Sequence, residues 1–223
     1  MEIIRKFYHS RILSWFLKNV DYFLRAELKD CNSVLDLGCG NNSSLRYCHI
    51  PKLYKVGVEI FKPNIEYSKH YNIHDEYICS DILKVDFSDN EFDAVILIQV
   101  IEHLKKEDGK IILAKMEHWA GKKILIACPN GFIQQDSFYG NPHDIHHSGW
   151  NIKEMKAMGF KAYGQGGLKF LRKGDVNHNA GIYSSFKFWP KRFFMVISGL
   201  TQIFTYYFPE LAFEVFYVKD IKK

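Results

Sequence analysis

Apolar residues along this chain follow two alternating rhythms. Runs of strand character at 34–37, 54–59, 77–81, 92–98, 123–128 and 160–163 are separated by stretches where apolar residues return at helical spacing. Pro63 suits the first turn of a helix after the second run. Ile112, Met116 and Trp119 share one face of a helix predicted over 106–119. Asn151 and Glu154 have the spacing of a capping box, and Gly159 marks the end of that helix. A last run, 212–218, again reads as a strand. At the other end Leu13, Phe16, Val20, Phe23 and Leu24 recur at helical spacing with Lys18, Asp21 and Arg25 between them. This predicts one or two helices over 1–30, capping the sheet edge or a cleft, with a membrane-surface helix as the alternative. Strand and helix in alternation imply an α/β chain: a doubly wound, mostly parallel sheet with right-handed crossovers, binding its ligand at the strands' carboxyl ends.

Chemistry gathers at that edge. The first strand runs into Asp36-Leu-Gly38-Cys39-Gly40, followed by Asn41, Asn42, Ser43 and Ser44. Two glycines there let a ligand approach the backbone where Ser43 or Ser44 would cap a short helix ended by Pro51. The glycines alone are a weak signal, because a dinucleotide fingerprint has a third glycine where this chain has Ser43. The acids say more. Asp36 stands inside the end of the first strand, Glu59 closes the second and Asp81 the third. Asp36 and Asp81 would repel a pyrophosphate, which argues against a nicotinamide-dependent oxidoreductase.

On these residues the chain resembles the class I S-adenosylmethionine-dependent methyltransferases, over about Cys31 to Gly167. The resemblance implies a Rossmann-like seven-stranded sheet with an antiparallel last strand. It also implies S-adenosylmethionine as cofactor: the methionine part at Asp36, Gly38, Cys39 and Gly40, the ribose on Glu59, and the adenine beside Asp81 and Ile82, with Gln99 close by. Where the family often has a further glycine this chain has Asn42, which tolerates a left-handed backbone. The expected organisation is one methyltransferase domain: a helical cap (1–30), a cofactor-binding core (31–167), an insertion (168–211) and the last strand (212–223).

Composition changes this picture in three places. Aromatic residues are 16% of the chain, enough to supply a large core, an apolar cleft or a membrane face. The insertion carries an uncharged stretch over 193–209 that contains Ser198, Gly199, Thr201, Gln202 and Thr205. Such polarity falls short of a transmembrane helix and suits a buried or lid helix, with peripheral membrane contact as the alternative. The formal net charge of +5 is scattered apart from Lys187, Lys191 and Arg192, which favours a small-molecule, sugar or lipid-linked acceptor over nucleic acid. Five singly spaced cysteines and charges throughout the first 30 residues predict a cytoplasmic protein with no disulfide framework or secretory signal.

A polar cluster follows the fourth and fifth strands. Gln99, Glu102 and His103 come first, then Asn141, His143, Asp144, His146, His147 and Trp150, with His178 farther on. Three readings stay open. His103, His146 or His147 is a general base near its natural pKa. Alternatively Glu102, His103 and His147 or His146 bind a divalent metal; small-RNA 3′-terminal 2′-O-methyltransferases are similar here, although Gln99 replaces their first glutamate. In the third, Glu102 and His103 cap the following helix and the loop histidines bond to backbone. The expected activity is in-line methyl transfer, with Glu102, His103, His146 and His147 as catalytic candidates and no resident metal. The alternatives are a metal-assisted RNA 2′-O-methyltransferase and a non-catalytic cofactor-binding protein.

Overall fold

A computed structural model describes residues 10–135, 141–173 and 185–221. Helices α1 (Arg11–Leu17) and α2 (Val20–Leu28) precede strand β1 (Ser33–Leu37). Then come β2 (Tyr54–Glu59), α3 (Lys62–His70), β3 (Glu76–Cys79), β4 (Phe92–Ile98), α4 (Lys106–Trp119) and β5 (Ala120–Pro129). Helix α5 (Ile152–Ala157), β6 (Lys161–Leu168), α6 (Lys191–Tyr207) and β7 (Ala212–Asp220) complete the order. The strands form one seven-stranded sheet in the order β3-β2-β1-β4-β5-β7-β6. β1 to β5 are parallel, and β7 lies antiparallel between β5 and β6.

Alternation along the central strands builds two cores. Leu35, Leu37, Val95, Leu97, Ile124 and Ile126 face α4 and α5 on one side. Val34, Ala94, Ile96, Leu125 and Ala127 face Phe23, Leu24 and Leu28 of α2 on the other. Both faces of a parallel sheet are therefore covered, which is why its strands read as nearly continuous apolar runs. Among 10–30, α2 covers a sheet face and contributes nothing to the cleft described below, and α1 leaves Phe16 exposed.

Local chemistry sets the boundaries. Asn151 accepts from the Glu154 backbone while the Glu154 carboxylate accepts from Asn151, the reciprocal cap that starts α5. Pro63 occupies the first turn of α3. The helix expected after Gly40 is only a 3₁₀ turn, Ser44–Tyr47, capped by Ser43 and finished before Pro51. β3 stops at Cys79, short of Asp81, and β6 extends past Tyr163 to Leu168. Residues 193–209 do not form a buried helix: α6 starts earlier, at Lys191, and leaves Phe193, Val196, Leu200 and Phe204 exposed. No described helix is long and apolar enough to cross a membrane.

Candidate functional site

The carboxyl ends of β1, β2 and β4 and the loop after β3 open into a cleft of about 320 Å³, the size of a small-ligand site. Gly38 and Gly40 turn the chain out of β1 with φ of +67° and +60°, values that strain any residue with a Cβ. At Gly38 a Cβ would also sit 2.6 Å from Val100 Cγ2. At Gly40 it would have open space before it, its nearest neighbour being Gly38 O at 4.0 Å. A substituent there would fill a cradle that the backbone leaves open.

Glu59 closes that cradle. Its carboxylate accepts from Gly40 N at 2.9 Å and from Phe61 N at 2.7 Å, which ties β2 to the glycine turn. Burial raises its pKa, against the lowering effect of those two backbone donors. Asp81 accepts from Leu83 N at 2.9 Å and lines the cleft with Ile82. Gln99 lines it too, at φ +57°, an unusual conformation for this residue, with Nε2 donating to Glu214 Oε2 at 3.2 Å.

Asp36 and Cys39 do not line the cleft. Asp36 is buried beneath the turn, where it accepts from Ser43 Oγ at 2.5 Å and pairs with His74 Nε2 at 2.9 Å. Cys39 Sγ turns instead toward Gly57, close enough that a Cβ on Gly57 would meet it at 2.9 Å. Burial pushes the thiol pKa far up, so it is inert at neutral pH. These two residues shape the loop from below. His74 is part of that support, and no spacing in the sequence pointed to it. Asn64, on α3, also lines the cleft and was not anticipated.

The opposite wall comes from the turn after β4 and the loop after β5. Ser148 Oγ and Trp150 Nε1 donate to Ile101 O, and the backbone of His147 and Ser148 donates to Glu102 O. The indole is buried with the Lys106 ammonium 3.6 Å from its centroid, and Gly109 leaves room for it. The histidine loop is thereby fastened to the segment that carries His103. His103 Nδ1 lies 3.2 Å from Ile145 O, and His146 Nδ1 lies 2.7 Å from Ile133 O. A carbonyl only accepts, so Nδ1 of His103 carries the proton and Nε2 is its basic nitrogen. Burial lowers the His103 pKa, keeping the ring neutral at pH 7.

His103, His143 and His147 line the cleft, whereas Glu102 and His146 lie behind it. Glu102, His103 and His146 each offer a ligand atom within 4.8 Å of the other two, so the fold brings His146, not His147, into the possible cation group. Glu102 Oε2 is buried without a hydrogen-bond partner, and burial, aided by Glu214, raises the carboxyl pKa to about 8. His178 lies outside the described residues.

Residues 35–120 match the family described as a methyltransferase domain. An uncharacterised protein of Methanocaldococcus jannaschii is 26% identical over 139 residues, 62% of this chain and 59% of that protein. (S)-Tetrahydroprotoberberine N-methyltransferase of Eschscholzia californica is 25% identical over 58% of this chain and 37% of its own length. Sterol 24-C-methyltransferase of Saccharomyces cerevisiae is 28% identical over 47% and 30%. The chain thus spans less than two thirds of each of these relatives. A solved SAM-dependent methyltransferase from Archaeoglobus fulgidus is similar in fold, with a TM-score of 0.55 over 94% of this chain and 98% of that one at 18% identity. Residues 35–120 thus match a methyltransferase domain, and the sheet that carries them has the fold of that solved methyltransferase.

Proposed function

We propose that this protein transfers the methyl group of S-adenosylmethionine to a small-molecule acceptor. The observation that carries this is the juxtaposition, in one cleft, of the open glycine cradle and Glu59, Asp81 and Gln99 with a neutral histidine, His103. The cradle at Gly40 fits the methionine part of such a cofactor, because a Cβ there would take up space the ligand needs. The Glu59 carboxylate keeps lone pairs beyond its two backbone bonds for ribose hydroxyls. Ile82 and Leu83 offer apolar surface to a base.

When bound, the cofactor supplies a methyl group on a positively charged sulfur, open to displacement by an electron pair on the acceptor. The protein has to hold that pair in line and keep water out. His103 Nε2 takes the proton of an acceptor hydroxyl or amine group as the new bond forms, and His143 and His147 are the other cleft histidines. The small-molecule acceptor draws support from relatives whose names specify a tetrahydroprotoberberine and a sterol, and from the lack of a dense basic stripe. A lipid-linked acceptor belongs to the same chemical range.

The test is calorimetric titration with S-adenosylmethionine, followed by label transfer from the methyl-labelled cofactor to fractionated RNA, lipid and small molecules. Glu59→Ala and Asp36→Ala should each weaken cofactor binding at least about tenfold, the first by losing a contact and the second by releasing the turn. Unchanged affinity in both variants sinks the assignment. A second reading, metal-assisted methylation of RNA, has the Glu102, His103 and His146 group in its favour. Chelator-sensitive label in RNA would select it; label in small molecules that survives chelator would dispose of it.

A further inference from the structure

Helix α6 is built inside out. Its buried side chains are polar: Ser198, Gln202 and Thr205. At about 100° per residue they form one stripe, and Phe193, Val196, Leu200, Phe204 and Tyr207 form the opposite one, which is exposed. Leu200 is 57% and Phe204 47% accessible, and no charge interrupts the helix after Arg192. The polar stripe has partners. Gln202 Oε1 accepts from Gly167 N, and Nε2 donates to Gly164 O and to Gln165 Oε1, each at 3.0 Å. Gly164 and Gly167 admit the helix backbone so closely that a Cβ would lie 2.0 Å from Thr205 O or 2.1 Å from Ser198 O. The inward face is fixed by these contacts, so the outward apolar face is not a helix turned the wrong way.

Helix α1 repeats the inversion. Its Ser14 is buried while Ile12, Trp15 and Phe16 are exposed, and it packs against α6, with Gln202 Nε2 reaching Lys18 O. Two neighbouring helices thus turn polar groups inward and aromatic and aliphatic groups outward. A soluble surface helix does the reverse.

Along the segments that carry these two helices the charges are of one sign. No Asp or Glu lies between Glu2 and Asp21 or between Asp175 and Glu210, whereas Arg11, Lys18, Lys187, Lys191 and Arg192 fall in those intervals. A second copy of the chain would bring like charges together. Anionic headgroups would pair with them, while the aromatic side chains enter the headgroup boundary. The 17 residues of α6 reach about 25 Å, less than the hydrocarbon thickness, and their polar stripe is committed to the sheet. The helix therefore lies in the interface and does not cross it. We propose that the outer faces of α1 and α6 form a docking surface for an anionic lipid bilayer.

Flotation with phosphatidylcholine vesicles, with and without phosphatidylglycerol, tests this on the full chain. The protein should float with the anionic vesicles, should float less as salt rises, and should remain below with phosphatidylcholine alone. Leu200→Glu and Phe204→Glu should each lower partitioning at least about tenfold with an unchanged thermal midpoint, since both side chains point outward. Tryptophan emission gives a second measurement free of any fold change. Trp15 and Trp189 are exposed and Trp119 and Trp150 are buried, so contact with anionic vesicles should shift emission to the blue. Absence of both flotation and blue shift overturns the proposal, as does equal binding to both kinds of vesicle. Self-association abolished by Leu200→Glu, without flotation, would assign the surface to a second copy instead. No cofactor enters these measurements, so their failure leaves methyl transfer standing.

Discussion

Glu102 shows how one carboxyl can be read from its surroundings. It is fully enclosed, one oxygen has no partner, and its pKa is raised to about 8. The unfolded chain loses this proton near the ordinary carboxylate range while the folded chain keeps it, so stability falls as pH rises from there to about 8. Glu102→Gln should remove that slope and be more stable than the parent by on the order of 4 kcal/mol at pH 9, with little difference at pH 4. Urea unfolding at the two pH values checks this; an unchanged slope would show that Glu102 is ionised in the folded state. A cation bound by Glu102, His103 and His146 would reverse the sign, because it stabilises the ionised carboxyl. Sequence brought Glu102 and His103 forward as neighbours, but burial is a property of packing, and neither the raised carboxyl nor the Asp36–His74 pair has a local signature.

Elements were legible where one-dimensional signals are strong. The fourth strand and the helix over 106–119 have the predicted bounds, and Asn151 with Glu154 makes the predicted cap. Asp81 was assigned to a strand it does not join, since an acid after an apolar run marks the edge without fixing where pairing stops. The helix expected after β1 is a single 3₁₀ turn, since a serine cap and a following proline mark where a helix can start and stop without setting its length. In the loop after β5 the residues were visible but their fastening was not: Trp150 looked like a motif residue, and it is the bolt between two segments. Trp150→Phe keeps the ring and removes the donations to Ile101 O and Ser148 Oγ. Turnover should fall about tenfold while affinity for S-adenosylmethionine stays within about twofold, because the histidine wall loosens and the glycine cradle does not. Parallel calorimetry and rate measurement decide it; equal losses in both would make Trp150 a general stability residue.

At the scale of the molecule the seven-stranded sheet orders the chemistry. The acids at the ends of the first three runs were legible as one edge because parallel strands all deliver their carboxyl ends to one side, and of the three Glu59 and Asp81 line the cleft. Helix α6 was legible as a helix but not in its orientation, since apolar periodicity finds a face and assumes that it turns inward. Only Gly164, Gly167 and Gln202 reveal that here the assumption inverts.

That polar seam also bears on how the molecule comes apart. Side chains buried by the hydrophobic effect resist release because water has nothing to offer them, whereas water can replace every partner of Gln202. The bond between α6 and β6 rests on fit, hydrogen bonding and one stacked ring pair, Tyr163 with Tyr206, rather than on a broad apolar seam, so it should yield before the central strands do. In hydrogen exchange the amides of α6 should open ahead of those of β4 and β5, through a partial unfolding that leaves the cofactor edge intact. Matching rates across the three would mean that the helix and the sheet are one cooperative unit. A surface helix joined in this way can be shed or re-laid without dismantling the machine it is attached to.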